Sequence, residues 1–271
     1  MTTYGLNDRG EEIVKLQRYL NELFMLEMKP DGAFGKITQS TLKRLHDKLK
    51  IKENDENGPC YGPITQSKIL SYINAKYLSE DDYANAATKT GLEVNIVKTV
   101  TSVEALQFGF YSNGLPVTLF ERHIFYQQLC KYRNDEFANK VVGRYPDICN
   151  PSQGGYVGGK SELQRLERAR SIDEDCALLS ASYGLFQIMG FNFRQAGYKT
   201  INEYYEAVCL SEEKQLDAFV NYLLLDKDKS LLNSLKKKDF AAFAKEYNGP
   251  AYQKNNYDVK MQKAYLELSK K

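Results

Sequence analysis

The sequence predicts a mainly α-helical chain in two domains, a small three-helix domain followed by a larger helical one carrying a single small β-hairpin. Three observations point there. Apolar residues recur at helical spacing through most of the 271 residues. A pattern of aromatic-Gly-x-Ile-Thr-Gln-Ser occurs twice near the start, and strand signals are confined to residues 108–121. Hydrophobic residues make up 42% of the chain, enough to bury a core.

Composition narrows the function classes. Thirty-seven basic against 35 acidic residues leave a net charge of +2, which argues against a dedicated nucleic-acid binder and for no nucleic-acid partner. No apolar run approaches the ~20 residues of a membrane span. The opening MTTYGLNDRG lacks a basic region followed by an apolar run, so synthesis without an export signal, in a cytoplasm, is expected. Five cysteines without close pairing and two histidines make a metal site or a disulfide framework improbable. Chemistry should therefore rest on carboxylates, with no metal and no cofactor. The 20 Tyr and 13 Phe suit either a core or a groove that stacks on sugar rings.

The first helix is set by Ile13, Leu16, Leu20 and Leu23, which share one face. Turn signals at Asp31-Gly32 and Asn57-Gly58-Pro59 then introduce the two repeat copies, Phe34–Ser40 and Tyr61–Ser67, offset by 27 residues. Each copy opens a helix, with Leu42, Leu45 and Leu49 following Thr38, and Ile69 and Ile73 following Thr65. This three-helix unit has no acid/base constellation and reads as a binding module over residues 1–74. Residues 75–78 link it to a second domain over residues 79–271.

Ser79-Glu80-Asp81-Asp82 is a capped helix start, and Gly91 suits that helix's end. The next helix buries Ile96, Val100 and Val103. Val97, Val100 and Glu104 fall at i, i+3 and i+7, placing Glu104 at the edge of the apolar stripe. Burial there would raise its pKa toward that of a general acid, whereas a turn outward would leave it solvated; spacing leaves both open. A hairpin is expected around Asn113-Gly114, with Val117, Leu119 and Glu121 on one face of its second strand. Glu121 lies 17 residues after Glu104. Two carboxylates flanking a bond are what glycoside hydrolysis needs, although for Glu121 alone an ion pair with Arg122 or a helix cap is the simpler account. Later helices are marked by Leu216, Phe219, Val220 and Leu223, by Phe240, Phe243 and Ala244, and by Val259 to Leu268.

One motif is set aside. Residues 154–161 satisfy GxxxxGK[ST], the pattern of a phosphate-binding loop, but RYPDICNPSQ before it is no apolar strand. No nucleotide partner is expected, and the stretch reads as a glycine loop beside a groove.

Resemblances sharpen this. Gly10-x-x-Ile13-x-x-Leu16-Gln17, Asp31-Gly32-x-Phe34-Gly35-x-x-Thr38 and Gly62-Pro63-x-Thr65 resemble the peptidoglycan-binding domain of cell-wall hydrolases. The likeness implies affinity for bacterial wall, with Asp31, Gly32, Phe34, Gly35 and Thr38 as its marks. Leu119–Tyr126, Gly143–Ile148, Ser180–Asn192, Tyr247–Tyr252 and Asn256-Tyr257-Asp258 resemble the N-acetylmuramidase domain of modular phage endolysins, over about residues 79–268. That implies a lysozyme-like fold and a monomer that hydrolyses the β-1,4 bond from N-acetylmuramic acid to N-acetylglucosamine in peptidoglycan. It implies Glu104 as acid and Glu121 as second carboxylate, with Ala105 where the family commonly has Ser. Ser182, Tyr183 and Gln187 would contact substrate, Tyr183 standing where the family often has Trp, and Tyr247 and Asn248 would close the groove. The implied setting is storage in the host cytoplasm, release through a holin-made hole and lysis from inside. Two alternatives share these marks: a lytic transglycosylase of the same fold, and a non-catalytic wall-binding virion protein.

Overall fold

The computed structural model describes residues 1–104, 109–111, 113–249 and 252–270, apart from the side chains of Asn74 and Glu104. The chain divides into two compact units, residues 1–77 with 110–115, and residues 78–109 with 116–271.

In the first unit, helices α1 (Glu11–Phe24), α2 (Lys36–Leu49) and α3 (Pro63–Lys76) enclose a core of Ile13, Leu16, Leu20, Phe34, Leu42 and Leu45, joined by Tyr61 and Ile69. A minimal antiparallel pair, β1 (Asn54–Asp55) and β2 (Gly58–Pro59), precedes α3. The repeat explains itself in two similar corners. Gly35 and Gly62 are the extended residues before α2 and α3, and each threonine of the pattern sits three residues on, buried. In the first corner Gln17 binds everything: its amide donates to Asp31, to the Ala33 carbonyl and to the Thr38 hydroxyl, and accepts the Gly32 N–H. In the second corner Glu53 accepts the N–H groups of Gly62, Ile64 and Thr65 and the Thr65 hydroxyl, whose oxygen also lies 2.7 Å from His46 Nε2. Glu53 thus satisfies donors at the start of α3 that would otherwise be unpaired, while Gln17 fixes the loop ahead of α2.

The second unit contains α4 (Glu80–Thr90), α5 (Val94–Glu104), α6 (Arg122–Tyr132), α7 (Asp135–Arg144), α8 (Ser161–Arg170) and α9 (Glu174–Leu179), followed by α10 (Ile201–Leu210), α11 (Glu212–Leu224), α12 (Ser230–Lys236), α13 (Phe240–Tyr247) and α14 (Tyr257–Leu268). The Ser79 capping box and the left-handed Gly91 bound α4 as its sequence requires. α5 packs on α4 and α14 through Ile96, Val97, Val100 and Val103, each 5% exposed or less. α9 is buried along Cys176–Leu179 and packs against α6, α8 and α10. The rings of Phe186 and Phe219 stack at 4.4 Å deeper in this core.

The small sheet differs from expectation in its pairing. Strand β3 (Thr118–Phe120) pairs antiparallel with β4 (Ala181–Tyr183), and β4 with β5 (Ile188–Met189). The turn around Asn113-Gly114 exists, with Gly114 at φ 78° and hydrogen bonds from Tyr111 to Leu115 and from Val117 to Gly109. Residue 108, where the expected first strand begins, lies outside the described residues. β3 instead takes its partner from the Ser-x-Ser-Tyr-Gly-Leu-Phe-Gln segment, which carries no strand period of its own. The alternation along β3 is as read: positions 116, 118 and 120 are buried, and Val117, Leu119 and Glu121 are partly exposed.

Candidate active site

Glu121 stands where β3 hands over to α6. Its N–H donates to the Ser180 carbonyl at 2.9 Å, which locks the strand end to the chain entering β4. Its carboxylate makes neither an Arg122 pair nor a helix cap: Arg122 donates to the carbonyls of Ser152 and Gln153, and no side-chain cap closes α6. Instead the Tyr156 hydroxyl donates to the two carboxylate oxygens at 3.0 and 2.8 Å. His123 Nδ1 lies 3.2 Å from Oε2 and off the donor line, so this is a close polar contact rather than a hydrogen bond. The Glu121 side chain keeps 13% of its surface exposed, enough for a ligand to reach it. Burial, then the bond to Glu121 and its charge, push the Tyr156 hydroxyl up, which keeps it protonated as a donor.

Tyr156 is delivered by the glycine loop. Gly154, Gly155, Gly158 and Gly159 all take positive φ, a conformation that side chains with a Cβ resist. The loop is pinned from below by Glu162, whose carboxylate accepts the N–H groups of Val157 and Gly158 and meets Arg165 at 2.6 Å, both partners being at most 5% exposed. Burial pushes Glu162 up, but the N–H groups of Gly158 and Val157 and the Arg165 charge outweigh it and hold the carboxyl below its ordinary range. Arg165 also donates to the carbonyls of Phe120 and Asp147, so one buried guanidinium ties the residue before Glu121 to the base of the loop.

Behind the strand, Ser182 donates to the Gln187 amide oxygen, and the Gln187 amide donates to the carbonyls of Gly184 and Val117. Leu119, Ser182 and Met189 are cross-strand partners and share the sheet face next to Glu121. Tyr183 faces the other way. It is 2% exposed, donates to the Leu178 carbonyl and packs edge-on against Tyr204 and Tyr205. The expected substrate contact is therefore corrected: Tyr183 pairs with buried Thr118, on the face of the sheet opposite Leu119 and Ser182, so its ring enters the core. Tyr247 is half-buried, donates to the Phe186 carbonyl at 2.7 Å and stacks on Phe243, and Asn248 follows it at the end of α13.

Glu104 is the last residue of α5, and its side chain lies outside the described residues, as does Ala105. In the first unit, Phe34 is fully buried and Thr38 is 2% exposed, so neither side chain can itself touch a polymer; with Asp31, Gly32 and Gly35 they shape the corner before α2. Sequence reasoning missed Tyr156, His123, Glu162 and Arg165. The signal available was the cluster of four glycines, which marks a loop whose backbone takes positive φ. Among the described residues no group of three His, Cys, Asp or Glu side chains could hold a metal.

Two comparisons bear on this geometry. The family model described as N-acetylmuramidase matches residues 93–269. The crystal structure of a Burkholderia AP3 phage endolysin is similar over 100% of both chains, at 34% identity and a TM-score of 0.67. No curated protein matches.

Proposed function

The chain belongs to the N-acetylmuramidase family, and from that premise we propose how its residues cleave peptidoglycan. The protein is a lysozyme-type glycoside hydrolase of the phage endolysin kind, acting on the β-1,4 bond between N-acetylmuramic acid and N-acetylglucosamine. The observation carrying the assignment of residues is the Glu121 carboxylate, accessible yet held by a phenol, in the segment that follows a helix-ending Glu104. Glu104 donates its proton to the glycosidic oxygen as the C1–O bond breaks. Glu121 faces the positive charge developing at C1. It adds to C1 if the carboxyls stand roughly 5 Å apart, or takes a proton from the attacking water at about 7–9 Å. Ser182 and Gln187 hold the β4–β5 turn beside it, and Tyr247 and Asn248 border the groove.

Mass spectrometry of digested wall tests the reaction. Reducing muramic ends are expected, and 1,6-anhydro ends would assign the protein to the transglycosylases, a reading the family match does not favour. Glu104→Gln should cut the rate by about 10²–10⁴-fold while wall binding persists. If lysis survives that change, the assignment of the acid is wrong.

The first unit is proposed as the wall-binding module. Its two corners present Ile37 and Ile64, 68% and 51% exposed, at equivalent helix positions, and these rather than Phe34 and Thr38 offer surface to a polymer. A nucleotide role for residues 154–161 finds no support, because the Glu162 carboxylate already takes the Val157 and Gly158 N–H groups that a phosphate would need. The reading includes a monomer that reaches the wall from the host cytoplasm through a holin-made hole.

A further inference from the structure

From Glu121, α6 runs along a cleft of about 460 Å³ that the cleavage reaction leaves unused. One wall is a stripe of α6, with Gln127, Gln128 and Lys131 at helical spacing and Tyr132 beside them; the other is Phe191 and Arg194, just after β5. The lining carries two cations, two amides and no acid. Lys131 lies 4.9 Å from the Tyr132 ring centre and Arg194 5.0 Å from that of Phe193, and neither meets a carboxylate among the described residues. Phe191 and Tyr132 are 43% and 50% exposed, so their rings are open to contact.

Unpaired cations beside amides and open rings suit a ligand bearing carboxylates on a peptide frame. The wall polymer supplies one, the acidic stem peptide carried by muramic acid. Length agrees: at ~1.5 Å rise per residue, Lys131 stands about 15 Å along the helix from Glu121. Three or four extended peptide residues span ~10–14 Å. We propose that this cleft takes the acidic stem peptide of a muramyl unit whose sugar lies at Glu121, so that the enzyme reads peptide-substituted glycan. The proposal rests on the hydrolytic reading above.

The test compares kcat/KM of the full chain on peptide-bearing glycan strands and on strands stripped of peptide by an amidase, scored by new reducing ends. The unaltered protein should prefer the peptide-bearing strands. In the double variant Lys131→Glu/Arg194→Glu that preference should fall about tenfold or more, the worth of a charge-assisted contact. The milder Lys131→Gln/Arg194→Gln should move it the same way, which guards against misfolding of the first. A preference that stays at the unaltered value in both variants, or is absent from the unaltered protein, overturns the proposal. If the unaltered protein cleaves neither polymer, the hydrolytic reading itself falls and takes this one with it.

Discussion

Glu121 keeps its carboxylate between a phenol that donates to both oxygens and an imidazole set beside one of them. The Tyr156 hydroxyl fixes the orientation of the carboxyl plane, and a carboxylate free to rotate would face the sugar less often. Tyr156→Phe removes the donor and keeps the ring. It should lower kcat about tenfold, the lower end of the ~1.5–3 kcal/mol that one hydrogen bond to a charged group is worth. A kcat equal to that of the unaltered enzyme would show the phenol to be idle. The position of Glu121 was legible in the sequence because alternation along 117, 119 and 121 survives in any half-exposed strand. Its partners were not, because Tyr156 sits 35 residues away in a loop without period, and glycines announce a tight path but not its destination.

The β4–β5 turn shows how an element can depend on a distant helix. Gly184 takes φ 70°, and a Cβ there would overlap the Gln215 amide, whose oxygen accepts the Leu185 N–H and whose nitrogen donates to Val208 and Gly109. Gly184→Ala should cost ~2 kcal/mol and lower the Tm of the larger unit by about 4–8 °C, read by calorimetry. Gly158→Ala, with positive φ but open space around its Cβ, should cost roughly half as much. In the first unit the second corner predicts a pH dependence. Burial lowers the His46 pKa from 6.5, against the pull of Glu53 and Asp47, so its neutral form is the folded one. Burial pushes Glu53 up, but the Thr65 hydroxyl and the N–H groups of Thr65, Ile64 and Gly62 outweigh it and lower it from 4.5. Both folded values lie below the ordinary ones, so both contributions are present at neutral pH. The His46 share is lost as pH falls below about 6.5, and the Glu53 share as it falls below about 4.3. Glu53→Gln should flatten the acid part of a stability-against-pH curve, and an unchanged slope below pH 4 would refute the account. The corners were readable as a repeat, but Gln17 and Glu53 lie outside the repeated seven residues and could not be inferred from it.

At the scale of the whole chain, two separate cores account for two units. A six-residue excursion left no mark in the sequence: residues 110–115 group with the first unit, although the chain on either side belongs to the second. Within the first unit the Lys76 amine donates to the Gly114 carbonyl and lies 3.6 Å from the centre of the Phe110 ring, and Phe110 is 5% exposed. The segment begins only six residues after Glu104, so the first unit holds a stretch of chain that leads out of the proposed acid. A truncation lacking residues 1–74 keeps Lys76 but loses the core of Ile13, Leu42 and Ile69 that supports it. Two effects should follow. Sedimentation with purified wall should lose most of the bound protein, as expected of a missing binding module. Cleavage of soluble glycan fragments should also fall and the remaining unit should melt lower than it does in the full chain, because Phe110 and its neighbours have lost their partners. A pure tether predicts the first effect alone. Soluble-fragment activity and melting temperature that match the full chain would therefore show residues 110–115 to be passengers, and a truncated protein that still sediments with wall would remove the binding assignment.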